Sequence, residues 1–467
     1  MLRRVWLVSS IVAWGFSAHV QGQGSTPVQL TYDRPGTFKW SPTWSPDGDW
    51  IAYGYSPSPS GGVYATWKAP SNSGAPIQIS SWDPTWMYQQ RWSADGQHVY
   101  FLRTAPLGIE APARVPANGG PYTNYGSQPG WAYSPSINGQ VLLYAIGPRS
   151  PWDQWGVSLV QLATGAERTI VPVGSGAFLL TIAPSGLFAG YQDLWGLRML
   201  APFGTPYMFV PPSFQCTFRY YFSPEGERLV LLVAYCGGRP WDLRWVTPFS
   251  NVSHVFWSGS NLAGVPSVSP CGSFVAIPTT DGGGILLIEI LTGVTRQVCS
   301  GFCAASEGSL VVWSPFRDEV AWIQTTTTTN AVEVFKVSTG LSPTPAVVGT
   351  MNPGSRILIR VRAPGDAALP YLLGASFGTQ PGIATPGGRI PLNLDPLLVA
   401  SMSGGPPFHS FSGTLDASGR ADAYLDLPLF PGLIGQRFFL AFVTLNGSPP
   451  GGVRSISGAV PVFVQPL

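Results

Sequence analysis

The stretch Trp44-Ser45-Pro46-Asp47-Gly48, followed by Trp50-Ile51-Ala52-Tyr53, decides how the chain is read. Proline presets the first turn position, aspartate supports the turn through its side chain, and glycine takes the positive φ that closes it. The apolar residues on either side then read as two strands of a hairpin. The phrase returns as Trp92-Ser93-Ala94-Asp95-Gly96 with Val99-Tyr100-Phe101, and as Tyr133-Ser134-Pro135 reaching Gly139 before Val141 to Tyr144. A worn copy, Ala183-Pro184-Ser185-Gly186, precedes Leu187-Phe188-Ala189. Phe222-Ser223-Pro224-Glu225-Gly226, Ser269-Pro270-Cys271-Gly272 and Trp313-Ser314-Pro315, the last ending at Asp318, complete the series.

Successive copies lie 40 to 49 residues apart. A strand-rich repeat of that period is the mark of propeller blades. A third strand follows in most copies, as at Val157 to Leu162 and Ile285 to Leu291. A fourth is marked by glycine and then apolar residues, as in Gly74 to Ile79. Val28 to Thr31 precedes the first copy and is expected to complete the last blade, closing the ring. The expected fold is all-β: a propeller of about seven four-stranded blades over residues 26–350, then a smaller C-terminal β-sandwich over 355–467.

These repeats resemble those of the periplasmic TolB propeller and of the propellers in prolyl-oligopeptidase-type enzymes, where Trp-Ser-Pro-Asp-Gly precedes an apolar strand. The resemblance covers roughly residues 26 to 350 and implies the fold; propellers of this kind host many activities. The remaining tail is too short and too β-like for the α/β-hydrolase domain of the peptidases, so their activity is not carried over.

After about Gly354 the repeat stops. Arg356 to Arg362 alternates, with Ile357, Ile359 and Val361 on one face. Tyr371 to Ser376 and Leu397 to Met402 are further apolar runs. Phe411 to Leu415, a turn at Asp416 to Gly419, and Ala421 to Leu427 read as a hairpin. Arg437 to Leu445 and Val453 to Val464 follow, so about seven short strands suggest a β-sandwich. The phrases Pro391-Leu392-Asn393-Leu394-Asp395 and Gly413-Thr414-Leu415-Asp416 resemble C-terminal modules of secreted bacterial proteins, a likeness that implies no activity.

Composition agrees with a folded all-β chain. There are 56 Gly and 47 Pro and only 10% charged residues, yet 45% hydrophobic residues and 18 Trp supply ample surface to bury. Net charge is +2, with no basic stripe to neutralise phosphates, so nucleic acid is not an expected partner. Residues 1–22 read as a signal peptide: Arg3 and Arg4, an apolar run from Val5 to Phe16, then small and polar residues to Gly22. The run is too short to span a bilayer. The mature protein is expected to be secreted, periplasmic or at the cell surface, with no integral membrane segment.

Five cysteines fit an oxidising compartment. Cys216 and Cys236 are equidistant from the turn residue Gly226, so a symmetric hairpin brings them face to face, close enough for a disulfide. Cys299 and Cys303 are expected to form a small staple, leaving Cys271 unpaired. No zinc or other metal site is expected, because paired Cys-x-x-Cys units are missing and histidines are few. No cofactor is expected.

Gly374-Ala375-Ser376-Phe377-Gly378 matches a nucleophile-elbow pattern, but that pattern needs a strand, a helix and later triad partners. His409 is the sole histidine downstream, so the run reads as a strand entering a glycine turn, and no catalytic residue is assigned. His98 and His254 stand apart from any acidic or histidine cluster. The stronger signal pairs tryptophan with acid. Trp82-Asp83 with Trp86 falls in a blade-to-blade connection. Trp152-Asp153 with Trp155, Asp193 with Trp195, and Trp241-Asp242 with Trp245 fall between second and third strands. Both connection types emerge on one face of a propeller. Flat indoles stack on sugar rings and carboxylates accept hydroxyl hydrogen bonds. The competing reading is blade packing, since an acid followed by tryptophan is itself a feature of these repeats.

The leading expectation is a non-enzymatic binding or scaffold protein that recognises a protein or glycan through the propeller face. The alternative is an enzyme of polysaccharide or lactone chemistry using funnel carboxylates, which requires Asp83, Asp153, Asp193 and Asp242 to converge on the axis.

Overall fold

The structure, a computed structural model, describes residues 25–465 except 59, 61, 73, 105–109, 126–129, 136–140, 148–155, 176–177, 183–188, 194–195, 201–206, 211–216, 223–228, 234–240, 248–252, 260–263, 280–283, 300–308, 327–329 and 447–451. The expected leader, Trp152, Asp153, Trp155, Trp195, Cys216, Cys236 and Cys303 lie outside the described residues.

Among the described residues, seven four-stranded antiparallel sheets are the blades of a β-propeller. Blade 1 is Phe38–Trp44, Trp50–Ser56, Ala65–Pro70 and Ile77–Gln78. Blade 2 runs from Met87–Trp92 to Thr123–Asn124, blade 3 from Gly130–Pro135 to Glu167–Val171, and blade 4 from Phe178–Ile182 to Tyr207–Val210. Blade 5 runs from Thr217–Phe222 to Ser253–Gly259 and blade 6 from Ser267–Val268 to Thr295–Cys299. Blade 7 has three strands, Val312–Trp313, Glu319–Thr325 and Val332–Ser338, and takes its fourth from the other end of the chain. Val28–Gln29 pairs with it antiparallel, Val28 opposite Lys336 and Gln29 opposite Phe335.

The repeated phrase forms the expected turn between first and second strands. In blade 1 the Ser45 hydroxyl meets Asp47 Oδ1 at 2.5 Å and accepts the Trp50 N–H at 2.9 Å, while Gly48 has φ +72°. Blade 2 repeats this with Ser93, Asp95 and Gly96. The tryptophan before the serine ties neighbouring blades. Trp44 Nε1 donates to the Val312 carbonyl of blade 7, Trp92 Nε1 to Thr43 of blade 1, and Trp313 Nε1 to Ser267 of blade 6. Each indole is thus both apolar filler between two blades and a donor to the preceding one. The seam between blades 7 and 1 packs Leu30, Trp44, Ile51, Tyr53, Ile323 and Val334 into one core.

At the other end of the seam the ring is latched by charge. The Lys39 ammonium, fully buried, meets Glu333 at 2.8 Å, Asp33 at 2.7 Å and the Val332 carbonyl at 2.8 Å. Glu333 also accepts the Asp33 N–H at 2.8 Å and the Thr31 hydroxyl.

The C-terminal part is a two-sheet sandwich. One sheet orders Ala346–Val348, Arg356–Arg362, Arg420–Asp426 and Phe408–His409; the other is built on Pro370–Ser376 and Arg437–Leu445. Ile357, Ile359 and Val361 are all fully buried in its core, as their alternation predicts. Two details correct the sequence reading. Leu397 to Met402 is not a strand but part of the helix Pro396–Met402, because Asp395 caps it by accepting the Leu398 N–H at 3.0 Å and Pro396 fits its first turn. The runs around 411–415 and 421–427 do not pair with each other. Ser412–Thr414 joins Pro370–Ser376 and Arg420–Asp426 joins Arg356–Arg362, so the chain crosses between sheets at the expected Asp416–Gly419 turn. Phe411 and Leu415, both buried, demand this crossing by pointing into the core between the sheets.

The sandwich meets the propeller at the turn end of blades 7 and 1. Arg360 and Arg420 reach Asp49 at 3.0 and 2.6 Å, and Arg362 reaches Glu319 at 3.3 Å and Asp318 at 3.6 Å. Among the described residues no helix is long and apolar enough to cross a membrane.

Candidate functional site

The end of the propeller away from the sandwich carries an aromatic shelf. Blade 1 begins at that end with Phe38 and Trp40, and its second strand arrives there with Tyr55. The third leaves from there through Tyr64 and Trp67, and the connection to blade 2 spans it with Trp82 and Trp86. A seven-residue strand is about 20 Å long, so the shelf and the Asp47–Gly48 turn occupy opposite faces.

The rings form two groups, each with one tryptophan nearly half exposed. Trp86, 47% exposed, lies 5.0 Å from Tyr64 and 5.6 Å from Trp40, which itself lies 5.7 Å from Phe38. Trp82, 44% exposed, lies 5.9 Å from Tyr55 and 6.4 Å from Trp67. Trp40 is fixed from two sides. Its Nε1 donates to the Met87 carbonyl, and its ring lies so close to Gly54 that a Cβ there would fall 2.2 Å from the indole nitrogen. Glycine at 54 is therefore a packing requirement of the shelf. Val63, 40% exposed, extends the apolar surface. Arg34 is exposed and acts electrostatically on Tyr55.

Asp83 holds the connection that bears both exposed tryptophans. Its backbone pairs with Tyr64 in both directions, at 2.8 and 2.9 Å. Its carboxylate accepts the Thr85 N–H at 2.8 Å, Tyr122 Oη at 2.7 Å and Arg103 Nε at 3.0 Å, with the Thr85 hydroxyl as a fourth donor. Burial works to raise its pKa, but these donors outweigh it and hold the carboxyl below the usual aspartate range. Only 5% exposed, Asp83 supports the shelf from beneath rather than offering a free acceptor to a ligand.

Of the other sequence-predicted residues, those that the structure describes do not join this group. Trp241 and Asp242 open the third strand of blade 5. Asp242, 8% exposed, accepts from Ser258 at 2.6 Å and Arg244 at 2.9 Å. Trp245 stacks on His254 at 4.2 Å across the same blade. Asp193 ends the second strand of blade 4, opposite Gly196. Ser376 of the elbow-like run is fully buried and hydrogen-bonds Asp395 at 2.7 Å and the Gly378 carbonyl at 2.8 Å, closing a loop. His409 contacts Asp426, not Ser376, at 2.8 Å. Cys271 is a free cysteine beside Ser269. No group of three potential metal-binding side chains occurs among the described residues.

Sequence reasoning found Trp82 and Trp86 but missed Phe38, Trp40, Tyr55, Tyr64 and Trp67. Phe38, Trp40, Tyr55 and Trp67 occupy ordinary strand positions and Tyr64 immediately precedes a strand, so each reads as blade core. The available signal was their location: all cluster at strand ends that face the 80–86 connection.

No protein-family profile matches the chain, and no curated relative does. Among solved structures, an oligogalacturonate lyase from Vibrio parahaemolyticus aligns with TM-score 0.54 and 9% identity, over 67% of this chain and 93% of that one. An oligogalacturonate lyase in complex with manganese aligns with TM-score 0.54 and 10% identity, over 68% and 98%. TolB from Acinetobacter baumannii aligns with TM-score 0.39 and 13% identity, over 57% and 67%. At such identities the lyases are similar in fold alone, and that fold is the β-propeller that the repeated Trp-Ser-Pro-Asp-Gly turn predicts.

Proposed function

We propose that this is an exported, non-enzymatic binding protein that takes a glycan on the aromatic shelf of blades 1 and 2. The observation that carries this reading is the pair Trp82 and Trp86, each nearly half exposed yet backed by fixed rings. Exposed indoles cost solvation unless they serve contact, and rings already held in place lose little entropy when a sugar lies on them. The carboxylates of Asp83 and Asp242 are committed to internal donors, which favours binding over acid–base chemistry at these two positions. Export rests on the signal-peptide reading of residues 1–22 and on the cysteine usage.

The test is a glycan array with the mature chain, followed by titration calorimetry on the best hit. Trp82→Ala and Trp86→Ala are expected to weaken binding at least tenfold each, with unchanged thermal stability. Unchanged affinity in both variants sinks the shelf as the site. Recovery of a specific protein with no sugar binding replaces the glycan with a protein partner.

A further inference from the structure

The sandwich and the turn face of the propeller enclose two clefts, of about 630 and 540 Å³, that share Arg317, Pro391 and Gly458 and so form one groove. The guanidiniums of Arg317, Arg389, Arg437 and Arg454 line it, and Asp366 is the one acid among the lining residues. That acid is spent: Asp366 meets Arg454 at 2.7 Å and Thr444 at 2.6 Å.

Elsewhere the sandwich matches arginine to carboxylate. Arg356 holds Asp426, Arg360 holds Asp422 and Asp49, Arg362 holds Glu319, and Arg420 holds Asp49. The groove departs from this pattern. Arg317 donates to the Ser342 carbonyl at 2.7 and 3.1 Å and to Cys271 Sγ at 3.3 Å. Arg389 donates to the Pro381 carbonyl. Neither meets a carboxylate among the described residues. Arg437 lies 5.1 Å from the centre of the Phe439 ring.

Arg317 also stands where the turn uses glycine in other blades. Its φ of +66° matches Gly48, Gly96 and Gly272 at +72°, +70° and +71°. A left-handed conformation strains a side-chain-bearing residue, so blade 7 keeps an arginine lining the groove at a position where the other blades use glycine. Phe377, 57% exposed, lines the smaller cleft and adds a bare aromatic face.

We propose that this groove binds a carboxylate-bearing polysaccharide, with Arg317 and Arg389 taking acid groups and a sugar ring lying on Phe377. Guanidinium forks match carboxylates in two-point geometry, and an aromatic face matches the C–H face of a sugar. Each unit of a uronate polymer offers both features, whereas an acidic peptide offers only the charge. This site is distinct from the shelf, lies on the opposite face, and does not depend on it.

The experiment measures binding of the mature chain to alginate, with dextran and poly-L-glutamate as comparisons. Arg317→Gly restores the glycine of the other blades, so folding is kept, and Arg389→Ala removes an exposed side chain. Alginate binding is expected to weaken about tenfold in each variant and to fall with added salt, while Trp82→Ala and Trp86→Ala leave it unchanged. Dextran is expected to show no arginine-dependent binding. Absence of alginate binding overturns the proposal, as does an affinity indifferent to both arginines. Poly-L-glutamate binding as tight as alginate overturns the assignment to a polysaccharide.

Discussion

Asp83 fills a role that its neighbours in sequence hide. A tryptophan on one side and another three residues on invite the reading of a ligand-contacting acid. Its oxygens instead gather Thr85, Tyr122 and Arg103, and its backbone grips Tyr64. The exposed indoles are the surface, and the acid is their footing. Because those donors depress its pKa in the folded state, Asp83 contributes stability above the unfolded value near 4, and that contribution is lost as pH falls through the folded value. Asp83→Ala is therefore expected to cost about 1–3 kcal/mol at pH 7, since it leaves the Tyr122 hydroxyl and a largely buried Arg103 without their acceptor. The gap between wild type and variant should narrow in urea titrations run at pH 5 and then at pH 3. A gap that stays constant over that range contradicts the assignment.

The blade as an element was legible because one short phrase does several jobs at once. Serine and aspartate tie the turn, glycine closes it, and the preceding tryptophan reaches the neighbouring blade. The closing strand was legible too, as an apolar run left over before the first copy. What the sequence hid was cross-element geometry. Tyr55 and Trp67 alternate like core residues, and nothing local says that their outer edges meet Trp82. The sandwich was read less well for the same reason. Phe411 and Leu415 flank a run that looks like half of a hairpin, and only the two-sided core sends it to the other sheet. The Lys39–Glu333 latch shows the same limit, since its partners stand 294 residues apart. Removing one member of a buried pair leaves an uncompensated charge and typically costs about 3–5 kcal/mol. Glu333→Gln is expected at the lower end of that range by chemical denaturation, because Asp33 still faces the Lys39 ammonium at 2.7 Å. A cycle with Lys39→Met should return a coupling of about 2 kcal/mol, and additive effects would show that the two charges act independently.

At the scale of the whole molecule, ring closure and domain docking are one problem. The ring closes where its last blade meets its first, and there the first strand of the chain belongs to the sheet of blade 7 while the chain that follows it enters blade 1. Three devices converge on this seam. The strand Val28–Gln29 pairs across it, the Lys39 latch holds one end, and the sandwich covers the other. The docking is specific to the two seam blades: Asp49 belongs to the turn of blade 1, Asp318 to the turn of blade 7, and Glu319 opens the strand that follows that turn. Phe316, fully buried, reinforces the join by lying against Gly48 of blade 1, where a Cβ would come within 2.5 Å of its ring. Arg362 sits 5.4 Å from the same ring. The arginines thus hold both sides of the seam to one rigid sheet, and the sandwich acts as a clamp on the ring. Partly buried charge pairs of this kind contribute about 1–2 kcal/mol each, more than isolated surface pairs and less than the latch. The wild-type chain is expected to melt in a single calorimetric transition that covers both domains. Asp49→Ala combined with Arg362→Ala should lower the melting temperature of the propeller and separate the two domains into distinct transitions. Molar salt should destabilise the wild type more than the double variant, because the charges it screens are already gone from the latter. A double variant that melts as the wild type does, with the same response to salt, would mean that the sandwich is held by its apolar contacts alone and that the seam needs no clamp.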